Sequence, residues 1–417
     1  MSENWQPRQL SSLGRYINGY AFKPHHWVNE GLPIVRIEQL NNPDGEYDFC
    51  STFVPTDNVI DDGDLIFSWS ATLKVVLWRH GKAALNQHLF KVLPGPDTDK
   101  GFLFQLLDHH METLASGAHG STMKHIKRSE LDKYVVNVPK RDEQATIARI
   151  LRALDAQIEA TEALLAKQER VRTGLMQDLF TRGVDENGQL RPPRHQAPHL
   201  YHQSELGWLP VGWEVEAFGK RIDVIDPNPS HRYPEEIEEG IPICSTENFE
   251  GTDAFDISYA KQVPEATFHF QNNRCRYHHQ DVVFARKGRI GLARRYGHDR
   301  KVFSHTVVTM KPLDQSVDRA WVLWLARSDV FLSGIGREMN SNSGVPTLGI
   351  EFIKSIFVPF PPEPEQATAT VILDQAAEAI SDLKADLTKL RLQKSGLMQD
   401  LLTGTVPVTP LLESVPA

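Results

Sequence analysis

The chain has 417 residues, 40% of them hydrophobic, which is enough for two domains with separate cores. No run of about 18 apolar residues occurs, and the start MSENWQPRQLSSLGRY lacks a basic opening before an apolar stretch. A membrane span and a signal peptide are therefore not expected. The net charge of −9 weighs weakly against a nucleic-acid partner unless the positive charge is clustered.

Residues 1–140 read as a mixed α/β domain. Short β-branched or aromatic runs (LPIVRI, DLIFSW, LKVVLW) alternate with turn residues, and FLFQLLDHHMETL at 102–114 predicts a helix. The stretch 121–141 holds six Lys or Arg against two acids. A local excess of that kind suits phosphate contacts, so Lys124, His125, Lys127 and Arg128 are the candidate DNA-binding residues of this half. Its bland alternative is a solvated surface.

Residues 141–184 predict one long helix. Proline is absent from Glu143 to Arg191, and strong helix formers dominate. Alternating steps of four and three from Ile147 reach Leu151, Leu154, Ile158, Thr161, Leu165, Gln168, Arg172, Leu175 and Leu179, seven of the ten being apolar. A sustained 3.5-residue repeat predicts a coiled-coil seam, here about 60 Å long at ~1.5 Å per residue. Residues 185–212, rich in Gly, Pro, His and polar side chains, predict a linker.

Residues 213–362 again read as mixed α/β, with strands at DVVFAR and KVFSHTVVTM and a helix at 318–334. From Arg274 to Lys301 nine Lys or Arg face two Asp. ARKGRIGLARR reads as a hairpin or turn carrying cations, making Arg286, Lys287, Arg289, Arg294 and Arg295 candidate contacts to phosphates or guanine edges. A second long helix is expected at 363–404, with a tail at 405–417. Its seam includes Leu373, Ile380, Leu387, Leu397 and Leu401, and nine of ten frame positions are apolar.

The two long helices are copies. GLMQDLFTRGV starts at Gly174 and GLMQDLLTGTV at Gly396; EQAT starts at Glu143 and Glu365; both pairs lie 222 positions apart. Residues 131–184 align with 353–406 without a gap, with 20 identities in 54 positions, too many for coincidence. Upstream the echo is weaker and its offset drifts: Trp5 pairs with Trp213, GLPIVRIEQL at 31–40 with GIPICSTENF at 240–249, DLIF with DVVF, and His88 with His305. Each half is thus a variable region followed by a segment that tolerates no insertion, as packed helices do. The simplest architecture is an α/β (α+β) chain in which two mixed domains are separated by two helices paired as an antiparallel coiled coil. That is a pseudo-two-fold repeat, with a domain at each end of a rod.

Catalytic signatures are missing. There is no G-x-x-x-x-G-K-[ST], and DPNPSHRY at 226–233 breaks the polar-Pro-Pro-aromatic loop that amine methylation of DNA would need. PDTDK at 96–100 reads as a turn, and GRIGLAR is no dinucleotide fingerprint. Six of the seventeen histidines form adjacent pairs (His25-His26, His109-His110, His278-His279), and neighbours on a strand face opposite ways; a surface or core role is favoured and no metal site is expected. Cys50, Cys244 and Cys275 are isolated, with no Cys-x-x-Cys, and fit reduced thiols in a cytoplasmic protein.

VNVPKRDEQATIARIL and VPFPPEPEQATATVIL resemble the strand–proline–Glu–Gln approach to the conserved helix of the specificity (S) subunits of type I restriction–modification systems (the HsdS family). GLMQDLFT and GLMQDLLT resemble that family's helix end, and INGYAFKPHHWVNEGLPIVRI at 17–37 its target-recognition-domain opening. The first copy reads PKRDEQ where the family has a more proline-rich and apolar approach, which leaves the start of the first helix open. The resemblance implies two target recognition domains, each reading half of a bipartite, asymmetric site in double-stranded DNA, with the helices setting the spacer. It implies docking of two methyltransferase (M) subunits and of restriction/motor (R) subunits. S-adenosylmethionine, ATP and Mg would be bound by those partners, with no cofactor and no catalysis on this chain. The competing reading is a coiled-coil adaptor that bridges proteins without DNA specificity; the acidic net charge favours it and the local +7 disfavours it.

Overall fold

The structure is a computed structural model, which describes residues 5–51, 54–70, 72–116, 128–230, 232–339 and 347–408. It divides into two compact units. The first comprises residues 1–164 and 384–417, the second residues 165–383. Each long helix, Arg141–Thr181 (central) and Glu363–Leu402 (C-terminal), is shared between them.

In the first unit an antiparallel four-stranded sheet has the order Gly14–Asn18, Leu89–Pro94, Leu65–Ser68, Lys74–Leu77. Beside it a five-stranded sheet contains one parallel pairing, Ile34 with Ala84. Gln6–Gln9 pairs with Val135–Val138 just ahead of the central helix. The core packs Leu10, Leu13, Phe67, Phe102, Leu106 and Leu131 against Ile147 and Leu151 of the central helix, and against Met398, Leu401 and Leu402 of the C-terminal one.

The second unit repeats the plan. Its four-stranded sheet runs Ile222–Ile225, Val307–Pro312, Val282–Ala285, Ala293–Arg295, and its parallel pairing is Ile243 with Val302. Phe218, Phe284, Trp321, Phe331, Phe360 and Leu373 form the core, with Leu179 and Phe180 of the central helix; Phe180 stacks on Trp321 with ring centroids 4.5 Å apart.

Within each unit the helices run antiparallel. In the first, Glu162 pairs with Arg391 at 2.6 Å and Asp155 with Lys394 at 2.7 Å. In the second, residues 175–180 share a core with 369–377. None of the eleven seam residues Leu151, Leu154, Ile158, Leu165, Leu175, Leu179, Leu373, Ile380, Leu387, Leu397 and Leu401 is exposed. The three polar frame positions of the first copy, Thr161, Gln168 and Arg172, are half-buried beside them.

The repeated phrases have a physical purpose. The Gln144 carboxamide accepts from Asp99 N (2.8 Å) and donates to Asp97 O (3.1 Å) and Pro139 O (2.9 Å). The Gln366 carboxamide accepts from Asp318 N (2.9 Å) and donates to Ser316 O (3.1 Å) and Pro361 O (2.7 Å). Each EQAT therefore latches its helix to the cap of the domain helix that precedes it. Next to Gln366, the buried Glu365 accepts from Val184 N (2.9 Å) and Trp213 Nε1 (3.1 Å) and pairs with Arg191. The GLMQDL helices end on left-handed glycines, Gly183 (φ +61°) and Gly404 (φ +71°), lying against Trp213 and Trp5. A side chain at 183 would collide with the Glu365 carboxylate as well as the indole.

Three sequence expectations are corrected. The segment 185–212 is no free linker: Tyr201–Ser204 and Gly207–Pro210 form a hairpin, Tyr201 is buried, and Arg191 is tied to Glu365. The helix expected at 102–114 is two, Lys100–His109 and Met111–Ser116; PDTDK, besides turning, supplies its cap through Asp99, which accepts from Phe102 N at 2.9 Å. That at 318–334 breaks at Ser328, whose hydroxyl donates to Leu325 O (2.7 Å) and caps the next helix, Asp329–Met339, by accepting from Phe331 N (3.3 Å). A local side-chain hydrogen bond outcompetes the helix there.

Candidate nucleic-acid interface

In the second unit, ARKGRIGLARR does turn between antiparallel strands, with Phe284 opposite Ala293. Its cations do not form one free surface. Arg286 is 6% exposed; its guanidinium pairs with Asp226 at 2.7 Å and donates from Nε to His305 O at 3.0 Å. Arg294 is buried too, donating to Ala293 O at 2.9 Å and lying over the Phe249 ring. Arg295 pairs with Asp374 of the C-terminal helix at 2.6 Å. Strand alternation and nearby carbonyl oxygens draw these groups inward, which a charge count along the sequence does not reveal. Lys287 is half-buried and Arg289 exposed, the latter donating to Phe249 O at 2.8 Å.

What remains accessible is the turn with its neighbours. Thr306 O accepts from Arg286 N (3.0 Å) and Lys287 N (3.2 Å), and Thr306 Oγ1 accepts from Thr246 N (3.3 Å). The Thr306 hydroxyl is steadied from beneath by that of the buried Ser304, 2.8 Å away. The exposed Tyr233 ring stands 6.4 Å from that of His305. Lys287 bridges to Thr347, which places the chain following 340–346 at this turn. The result is a braced edge of two cations, the Thr306 hydroxyl, an imidazole and a phenol, donors and a stacking ring of the types that meet nucleic acid. Arg286 braces it from beneath.

In the first unit, Lys124, His125 and Lys127 lie outside the described residues, and Arg128 opens the short helix Arg128–Lys133. The position matching the Thr306 loop carries Gln87 and His88, with Trp69 5.9 Å from the His88 ring. Gln87 N donates to Tyr20 O at 3.1 Å, bringing up Tyr20, Phe22, His25 and His26; the Tyr20 ring lies 5.1 Å from Phe22 and 5.3 Å from His26. His26 is held below the usual histidine range, first by desolvation and then by His25 and Lys23. This face is aromatic and imidazole-rich where its counterpart is cationic. The echo of His88 in His305 is the sequence signal that points to both loops.

Cys50, Cys244 and Cys275 are buried thiols. Among the described residues no three His, Cys, Asp or Glu side chains could hold a metal ion together, and no helix is long and apolar enough to cross a membrane.

Residues 2–170 match the family model of the type I restriction modification DNA specificity domain. Over its whole length the chain is similar to the type I restriction enzyme MjaVIII specificity subunit of Methanocaldococcus jannaschii, with 21% identity across 98% of this chain and 94% of that one. It is also similar to the EcoBI specificity subunit of Escherichia coli, with 21% identity across 96% and 85%. Its fold is that of the type I restriction–modification S subunit from M. genitalium, with a TM-score of 0.63 and 16% identity over 96% of this chain and 97% of that one.

Proposed function

We propose, from the premise that the chain belongs to the family of type I restriction–modification specificity subunits, that it reads a bipartite, asymmetric site in double-stranded DNA. The observation that carries this reading is the pair of units with one strand order and one glutamine latch but unlike accessible faces. The first presents Tyr20, Gln87 and His88; the second presents Lys287, Arg289, Tyr233 and His305. Equivalent frames with different side chains at the same edge suit two readers of different half-sites.

The long helices, each belonging to both units, set the spacer between half-sites and dock two methyltransferase subunits and the restriction/motor subunits. S-adenosylmethionine, ATP and Mg act on those partners, while this chain binds and chooses in the cytoplasm without chemistry of its own. The test is a selection from random duplex DNA by the full chain co-expressed with its modification subunit. Two unlike short motifs at fixed spacing are expected. A single contiguous palindrome defeats the two-reader scheme, and no enrichment with no salt-sensitive binding turns the assignment to a protein-bridging adaptor.

A further inference from the structure

The inward-drawn arginines of the second unit lead to a separate site. A cavity of about 290 Å³ lies against the central helix, lined by Arg172, Thr173, Arg294, Trp324, Arg327 and Asp329, among others, all of the second unit. Arg294 is 5% exposed, and its Nε has no hydrogen-bond partner among the described residues; the same is true of Arg327 Nη1. Their other terminal nitrogens are engaged: Arg294 Nη1 donates to Ala293 O (2.9 Å) and Arg294 Nη2 to Gly251 O, and Arg327 Nη2 donates to Thr252 O (2.7 Å) and Ala293 O (2.8 Å) and pairs with Asp253 (2.6 Å). Burial pushes Arg294 down to about 10, and the Arg327 charge adds to the effect. Leaving buried guanidinium N–H groups without an acceptor is costly, and an anion in the cavity would relieve it.

The internal repeat supplies a control. In the first unit, Lys394 stands where Arg172 stands in the second, 222 positions apart. Asp108 matches Arg327 by the offset of 219 that also relates the capping residues Asp99 and Asp318. Asp155 matches Ala377. Lys394 is neutralised from within, 2.7 Å from Asp155 and 3.6 Å from Asp108. The second unit keeps the helix cation and has replaced both acids, one by alanine and one by a further arginine. Among the described residues Arg172 has no ion-pair partner; Arg327 pairs with Asp253, and Asp329 is the one acid of the cavity lining.

We propose that this cavity binds the phosphate group of a small molecule, with Arg172, Arg294 and Arg327 as its ligands. Guanidinium N–H groups from a helix, a strand and a second helix suit a tetrahedral oxyanion, and the Thr252 hydroxyl at the rim can add a donor. The volume falls at the lower end of small-molecule sites, about 300–1,000 Å³, which fits inorganic phosphate or a small ester against the Trp324 wall. The site is independent of the DNA reading and makes no use of the Lys287–Arg289 turn.

The test is calorimetric titration of the full-length chain with inorganic phosphate at constant ionic strength, paired with thermal melts in phosphate or chloride. Saturable one-to-one binding and a raised Tm are expected, because a ligand held only by the folded state stabilises it. R172Q should weaken phosphate binding about ten- to a hundredfold, the loss of one charged donor group. R172E supplies a carboxylate from within; it should abolish the phosphate effect and raise the phosphate-free Tm. Should R172E not fold, R172Q decides alone. Absence of saturable binding at millimolar phosphate, or unchanged affinity in R172Q, overturns the proposal. So does displacement of phosphate by a short DNA duplex, which would assign the pocket to the DNA backbone.

Discussion

Replacing Gln366 by Ala removes one acceptor and two donors from a site with 0% exposure, leaving Asp318 N, Ser316 O and Pro361 O without their partner. Three intramolecular hydrogen bonds contribute about 1 kcal/mol each, and stranded buried groups cost ~1–3 kcal/mol, so a loss of about 3–5 kcal/mol is expected. The repeat supplies the matching variant: Gln144, 2% exposed, makes the same three bonds in the first unit. Native-state hydrogen exchange read by mass spectrometry resolves the two. Q366A should lower protection at Val282–Ala285 and Val307–Pro312, and Q144A at Leu65–Ser68 and Leu89–Pro94. A loss below ~1 kcal/mol, or one spread equally over both units by either variant, refutes the latch as the function of the repeated Glu-Gln.

E365A should destabilise the second unit by about 3–5 kcal/mol in urea unfolding, because it leaves the half-buried Arg191 cation, Val184 N and Trp213 Nε1 without their shared carboxylate. A smaller loss in E365Q would separate the charge from its hydrogen bonds. R286A should cost about 3–5 kcal/mol of stability by removing the guanidinium that pairs with the buried Asp226 carboxylate, whereas R289A should leave the melting curve in place and lower the salt slope of DNA binding by ~1; equal effects on both readouts would contradict the brace-and-reader division. His110, half-buried against Tyr134, has its pKa lowered from 6.5 to about 4, first by desolvation and then by His109. Between those values the unfolded chain takes up a proton that the folded one refuses. Stability is therefore lost as pH falls from 6.5 towards 4, by about 1–2 kcal/mol after allowing for solvent screening, and H110Q should flatten that slope in unfolding at the two pH values.

The duplicated helices were legible because their pattern is local and repeated: a 3.5-residue apolar period runs through Leu373, Ile380 and Leu387, and the gapless register marks a packed segment. The Glu-Gln of each EQAT was visible as text, while its purpose depends on Asp99 and Asp318, which only the fold brings within 3 Å. The segment 185–212 looked like a linker because it is rich in Gly, Pro, His and polar side chains; its order comes from the distant Glu365 carboxylate on Arg191 and from the Tyr201–Pro210 hairpin. The basic stretch 274–301 misled for a related reason. Its net charge is real, but Arg286 and Arg294 point to Asp226 and to carbonyl oxygens of the interior, and the charges that stay outside are fewer. The matching loops at His88 and His305 carried a faint signal in their shared spacing, too weak to single out Gln87 or Tyr233.

The sharing of the long helices reverses the order in which the chain can finish folding as it leaves the ribosome. The second unit is one continuous stretch, Leu165–Leu383, and is complete once that stretch has emerged. The first, begun earlier, still lacks Met398, Leu401 and Leu402 from its core. At ~5–20 residues per second it waits roughly 10–50 s for them, with Leu10, Phe102, Leu106 and Leu131 only partly covered. A nascent chain of this design exposes its amino-terminal half to chaperones and proteases longest, and a premature stop in the last helix unmakes the domain translated first.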